Sequence, residues 1–262
     1  MVVKLVKNRS FSLHRLYDEF CIATMMLTRL PVPSISRSVP ALNEAMWAFP
    51  LIGLIVSAGA ASIGSLALYC GLPPLIACCL TLAAAAILTG ALHEDGLADM
   101  ADGFGAGGTA ARISAIMKDS QIGSYGALSL ILIVIMRVSV LTELTYSALG
   151  FGICFILASM FGRGMAVILC SAYPVSPQAS LGRAAAAPPR RGLITSILFW
   201  LIPLWLIAGS AGLIAACLGG ALVLWTGRTA TVKMGGLTGD IIGSAILLSE
   251  TAFLIGLVGV FA

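Results

Sequence analysis

Residues 46–69, MWAFPLIGLIVSAGAASIGSLALY, contain no charged side chain. A helix that crosses the hydrocarbon core of a bilayer needs about 20 mostly apolar residues, so this run reads as one crossing. Six more runs of the same kind follow, at 72–92, 125–145, 149–171, 192–209, 211–227 and 241–261. Gly71, Pro73 and Pro74 separate the first pair. Ser210 and Gly212 separate 192–209 from 211–227, which leaves that region as two spans or a re-entrant hairpin. Of the 262 residues 59% are hydrophobic and 10% charged, whereas a soluble domain needs about a quarter charged to face water. The expectation is an all-α, polytopic membrane protein with about seven transmembrane helices, built as a single integral-membrane domain over 1–262.

The first 27 residues differ from the rest. Lys4, Lys7, Arg9 and Arg15 precede no continuous apolar stretch with a small-residue cleavage site, so they do not read as a signal peptide. Leu13, Leu16, Tyr17, Phe20 and Leu27 share one helical face, with His14, Arg15, Asp18 and Glu19 elsewhere around it. That pattern predicts an amphipathic helix lying in the interface, apolar side down.

Sidedness follows from charge. With seven spans and the N-terminus inside, the cytoplasmic segments are 1–45, 93–124, 172–191 and 228–240. They hold Lys4, Lys7, Arg9, Arg15, Arg29, Arg37, Arg112, Lys118, Arg183, Arg190, Arg191, Arg228 and Lys233, thirteen of the fifteen basic residues. Arg137 and Arg163 lie within spans, and the outer turns have none. Positive charge retained on one side marks the cytoplasmic face of an inner membrane. The same assignment puts Asp95, Asp99, Asp102, Asp119 and Asp240 on that face. The seven cysteines form no C-x-x-C pair and sit mostly in apolar runs, so they read as small hydrophobes and not as a disulfide framework.

Polar chemistry concentrates at 89–108, TGALHEDGLADMADGFGAGG. Asp95, Asp99 and Asp102 are spaced i, i+4, i+7, one face of a helix. Carboxylates so close repel unless cations neutralise them, and hard oxygen ligands with room for water and phosphate suit Mg²⁺. A solvated loop face is the plainer reading of the same residues. His93 is either a metal ligand or general base near neutral pH, or a residue that caps the span. Gly103, Gly105, Gly107 and Gly108 let backbone N–H groups approach an anion; no strand precedes them, so a dinucleotide fingerprint is not indicated. Arg112 follows, then KDSQIGSYG at 118–126, where Lys118 and Ser120 can donate to phosphate oxygens and Asp119 can join a metal or orient Lys118. GGLTGD at 235–240 reads as a flexible loop that brings Thr238 and Asp240 to the same face. Within the membrane, Arg137, Arg163, Glu143 and Glu250 need partners or water. Arg137 and Glu250 are at similar depth and can pair, while Arg163 is near enough to the cytoplasmic end to reach the site from beneath.

Taken together, TRLPVP (28–33), FPLIG (49–53), TGALHEDGLADMADGFGAGG (89–108), IMKDSQIGSYGAL (116–128) and GGLTGDIIGSA (235–245) resemble the cobalamin synthase family, the adenosylcobinamide-GDP ribazoletransferases. The basic extension before Thr28 is longer than the family pattern, and 146–227 carries few of its motif residues. The resemblance implies a phosphotransferase of the bacterial inner membrane. It would move the adenosylcobinamide phosphate moiety of adenosylcobinamide-GDP to α-ribazole, or to α-ribazole 5′-phosphate, and release GMP. It makes His93 and Asp95 catalytic, Asp95, Asp99, Asp102, Asp119 and Asp240 ligands of Mg²⁺, and Arg112, Lys118, Ser120, Gly103, Gly105, Thr238 and Arg163 contacts to substrate. Its partners are those substrates and the lipid bilayer, with no nucleic acid; a homo-oligomer or an association with other cobalamin-assembly enzymes is compatible with it.

Three other readings compete. A membrane phosphotransferase acting on CDP-alcohols uses related spaced aspartates, but Asp99 stands here where that pattern has Arg. A transporter would use Arg137, Arg163, Glu143 and Glu250 as a polar path, yet the carboxylates gather at one surface. A scaffold subunit leaves the aspartates without work.

Overall fold

A computed structural model describes residues 12–35, 39–179, 184, 185 and 187–261. Lys4, Lys7, Arg9, Arg37 and Arg183, part of the basic count above, lie outside the described residues. The helices are α1 (Leu13–Leu27), α2 (Leu42–Ala45), α3 (Phe49–Tyr69), α4 (Pro74–Thr89), α5 (Leu92–Ala106), α6 (Ala110–Met117), α7 (Ser124–Leu144), α8 (Gly150–Ala172), α9 (Arg190–Met234) and α10 (Gly239–Phe261), with a 3₁₀ turn at Met46–Ala48. No strand longer than one bridge, Val175 to Leu237, occurs among the described residues. Lipid supplies no partner for an open backbone, so a chain this apolar must satisfy its N–H and C=O groups within helices.

Five helices among the described residues are long and apolar enough to cross a membrane; Pro74–Thr89 passes the same test only together with Leu92–Ala106, from which it is bent by 88°, and α4 is counted as the sixth crossing. The longest, α9, has 45 residues, roughly 68 Å if straight, more than twice a bilayer core. It is not straight. Gly209 adopts φ 55, ψ −139, and a Cβ on Gly212 would lie 2.6 Å from Leu204 Cδ1, although eight residues along a helix are about 12 Å apart. The chain reverses at Gly209. Both arms then pack on α8, Trp200 from the first arm and Gly219 from the second meeting the same Phe161. The region is therefore two antiparallel passes, which brings the crossings to seven.

The amphipathic helix α1 is present but turned from the expected orientation. Leu13 and Tyr17 are exposed, as an interfacial face requires, while Leu27 is 4% exposed inside the core. Glu19, expected on the polar side, is buried. It accepts from Trp47 Nε1 at 2.7 Å and from Arg15 Nε at 3.0 Å, and Arg15 also bridges to Glu44 at 2.7 Å. This ion network rotates α1 onto α2 and α3 instead of leaving it free on the surface.

Within the bundle, small residues let helices approach closely, the usual means of helix association in lipid. A Cβ on Gly53 would lie 2.6 Å from Ser159 O, on Gly219 2.9 Å from Ser249 O, and on Gly256 2.7 Å from Ala215 Cα. At the centre, Glu250 accepts from Arg137 Nη1 and Nη2 at 3.1 Å and from Arg163 Nη1 at 2.8 Å. The Arg137–Glu250 pair is as expected. Arg163, expected to reach the site from beneath, is 2% exposed, and its guanidinium bonds Glu250 and Ser159. Glu143, by contrast, is exposed near the far end of α7.

Removing Glu250 leaves two buried guanidinium groups without their counter-charge, a loss of about 3–5 kcal/mol. Glu250→Ala should lower the unfolding temperature of the detergent-solubilised protein strongly, followed by dye labelling of buried Cys154 and Cys170. Glu250→Gln, which keeps an acceptor oxygen, should lose less; equal stability of all three proteins would show that the pair carries no weight.

Candidate functional site

The site begins with a break in the backbone. Gly90 and Ala91 adopt left-handed conformations in succession, φ 67 and φ 57, the second of them uncommon for a residue with a Cβ. The chain turns through 88° between α4 and α5. As a result the crossing ends at Thr89, earlier than the apolar run to 92 indicates, and α5 lies across the ends of α7 and α10.

Two contacts hold it there. A Cβ on Gly96 would lie 2.7 Å from Asp240 O, so α5 and the start of α10 touch backbone to backbone. Ser244 Oγ joins them by donating to Gly96 O at 2.7 Å. At the other end, the Asp102 carboxylate accepts from Gly123 N at 2.7 Å and Gly126 N at 2.8 Å. It caps α7, satisfying N–H groups that a helix start leaves open, where negative charge is also favoured.

The expected metal face is thereby divided. Asp102 points to α7, and Asp119 is exposed, accepting from Gln121 N at 3.0 Å in a local turn. Asp95 and Asp99 remain with Asp240. The Asp99 carboxyl is pushed up to about 7, chiefly by burial and then by the charges of Asp95, Asp240 and Asp102. Among the described residues no three His, Cys, Asp or Glu side chains are arranged as a complete metal cage. The donor set nevertheless suits a hard divalent cation, since Mg²⁺ is commonly bound through one or two carboxylates with water and substrate phosphate completing its shell.

Two openings share Gly239 and Asp240. One is polar, with about 360 Å³ of free space including its open mouth, lined by Ser114, Lys118, Gln178 and Thr238. The other is apolar, about 670 Å³ on the same measure, lined by Met26, Leu27, Met46, Phe49 and Ile242 with His93 and Asp95. The sequence pointed to the polar opening through Lys118, Thr238 and Asp240. It missed the apolar one, whose walls are residues that read as plain core. It also passed over Glu94, which lines a groove between α4 and α7 together with Arg137.

Other expected contacts have different occupations. Gly103 and Gly105 are inside α5, not in a loop. Their missing side chains make room for Met117 and for the Tyr125 ring, each 2.6 Å from where a Cβ would be. Arg112 and Ser120 are exposed and line neither opening. The 235–240 segment is pinned, not flexible: Ser176 Oγ donates to Met234 O at 2.8 Å and Leu237 N to Pro174 O at 2.9 Å. Thr238 Oγ1 accepts from Ile241 N at 3.4 Å, at the start of α10.

A sequence profile described as cobalamin-5-phosphate synthase matches residues 19–258. A protein of Mesorhizobium japonicum named adenosylcobinamide-GDP ribazoletransferase is 34% identical over 248 residues, 95% of each chain. A protein of the same name from Bradyrhizobium diazoefficiens is 37% identical, covering 90% of this chain and 94% of its own. One from Brevibacillus brevis is 32% identical over 92% and 98%. No solved structure matches the chain.

Asp102→Ala should uncap α7 at a cost of about 1–2 kcal/mol. Hydrogen exchange at the Gly123 and Gly126 amides should rise while the core of α8 stays protected; unchanged exchange would mean that the carboxylate does not hold this junction.

Proposed function

Because the chain belongs to the cobalamin-5-phosphate synthase family, we propose that it transfers the adenosylcobinamide phosphate moiety of adenosylcobinamide-GDP to α-ribazole or its 5′-phosphate, releasing GMP. The observation that carries the reading is the trio Asp95, Asp99 and Asp240 set beside the pocket of Lys118 and Thr238. A CDP-alcohol phosphotransferase or a transporter has no comparable support from the relatives.

The chemistry follows from these groups. The acceptor hydroxyl attacks the phosphorus that carries the corrinoid, and the bond to the bridging oxygen of the pyrophosphate breaks, so GMP leaves with that electron pair. Asp99, pushed up to about 7, has the basicity that suits a general base near neutral pH, and takes the hydroxyl proton. Lys118 neutralises charge on the phosphate oxygens and Thr238 donates to them, fixing the leaving group. A Mg²⁺ ion on Asp95 and Asp240 would supply charge stabilisation for the same oxygens. His93 is left out of the proton path because its ring lines the apolar pocket.

The concentration of basic residues on one side supports an inner-membrane location with the N-terminus and the site in the cytoplasm.

Purified membranes given adenosylcobinamide-GDP, α-ribazole and Mg²⁺ should release GMP in step with a completed cobamide, and EDTA or Asp95→Asn should abolish both. Consumption of CDP-alcohols instead would overturn the assignment. The acid limb of kcat/KM should lie at or below pH 7, because Asp99 must be ionised to accept the proton. On that limb the rate should fall about tenfold per pH unit, and the limb should move to lower pH as Mg²⁺ is raised. A rate flat from pH 5 to 8 would remove Asp99 from this role.

A further inference from the structure

We infer that the apolar pocket beside Asp95 and Asp240 holds the bicyclic aromatic base of the acceptor riboside, and that His93 reads that base by donating a hydrogen bond from Nε2. This rests on the transferase reading above and adds to it the source of acceptor specificity.

The pocket is walled by α1, α3, α5 and α10, through Met26, Leu27, Phe49, Leu92 and Ile242. Besides Asp95 and Asp240 on its wall, it has a deep polar group: His93 is 4% exposed, and its Nε2 is buried with no hydrogen-bond partner among the described residues. A buried polar nitrogen without a partner is costly and rare, and the residue that carries this one is part of the pocket lining. A mostly apolar cleft with a few polar groups that fix orientation is the usual form of a small-molecule site.

The choice of occupant follows from matching polar groups. Guanine presents several donors and acceptors on its edge; Asp95 and Asp240 can take donors, but its acceptors O6, N7 and N3 would be left unpaired against methionine, leucine and phenylalanine. The base of α-ribazole, a dimethylbenzimidazole, has a flat apolar body and a single free ring nitrogen, an acceptor for one N–H. Position agrees as well. Only a ribose separates this base from the attacking hydroxyl, and Asp95 and Asp240 form part of the pocket wall.

Gly243 offers a clean test. A Cβ there would meet Leu92 O at 3.5 Å and His93 Cα at 3.6 Å, ordinary contacts, so a side chain can start at this position, which lines the pocket. The full-length protein in proteoliposomes, saturated with adenosylcobinamide-GDP, would be assayed with the α-ribosides of dimethylbenzimidazole and of unsubstituted imidazole. Gly243→Leu should raise KM for the first about tenfold or more, and leave KM for the imidazole riboside and for the donor within about twofold. His93→Phe should raise KM for both ribosides without changing that of the donor, and His93→Gln, which restores an N–H, should recover part of the loss. An increase in donor KM, or an equal loss for both acceptors in Gly243→Leu, would overturn the inference. If that variant does not fold, an azido derivative of the benzimidazole riboside, photolysed on the wild-type protein without donor, should label 26–27 or 46–49; labelling elsewhere would also overturn it. Failure of the wild-type protein to form a cobamide from either riboside would instead sink the transferase reading itself.

Discussion

The contact on which the site depends is the backbone approach of Gly96 to Asp240. These residues are separated by most of the chain, yet a single methyl group at position 96 would be 2.7 Å from the Asp240 carbonyl. No side chain fits between the helices, so α5 can lie directly over the start of α10. Only then do Asp95 and Asp99 come near enough to Asp240 to share charge, as the raised pKa of Asp99 registers. The surrounding features serve the same placement. The double left-handed turn at Gly90–Ala91 aims α5 across the bundle, Ser244 ties the crossing, and Asp102 fastens the far end to α7.

The seven crossings were readable in the sequence because lipid leaves the backbone few choices. An apolar run of sufficient length must be helical, and charge bias then sets its direction. Even the hairpin at Gly209 falls at the end of the first of the two expected runs. What periodicity did not reveal was the orientation of short amphipathic pieces. Helix α1 looked like a surface helix because its apolar positions lined up, but Trp47 and Arg15 draw Glu19 inward. The end of α4 was misplaced for a similar reason, since Ala91 and Leu92 continue an apolar run and nothing in an alanine announces a positive φ.

At the site, residue type was more informative than residue role. Asp95, Asp99, Asp102, Asp119 and Asp240 stood out as a group because carboxylates are scarce in so apolar a chain, and the structure keeps only Asp95 and Asp99 beside Asp240. Asp102 belongs to the same helical pattern and still serves as a helix cap, because helical spacing says which residues share a face but not which neighbour that face meets. Glycine is ambiguous in the same way. Gly103 and Gly105 suggested an anion-binding loop, whereas their absent side chains admit Met117 and Tyr125. Arg163 could be read either as a phosphate contact or as half of an ion pair. Its partner, Glu250, lies 87 residues away, and only the tertiary structure decides between them.

The two openings that meet at Asp240 indicate how a membrane protein can handle substrates of opposite character. Pyrophosphate oxygens require cations and donors, and Lys118 and Thr238 face that side. A flat aromatic base is better placed where water is excluded, and Met26, Phe49 and Ile242 provide such a place. Asp240 lines both openings and Asp95 the apolar one, with Asp99 within reach of their charge; on the proposed reading, a hydroxyl from one side meets a phosphorus from the other here. Placing this junction at the end of a helical bundle has a physical advantage. The buried ends of α3 and α10 supply an apolar wall without a separate hydrophobic core, while the turned helix α5 carries its carboxylates at the water boundary. On the proposed reading, the membrane domain forms part of the acceptor site itself, and not only an anchor for it.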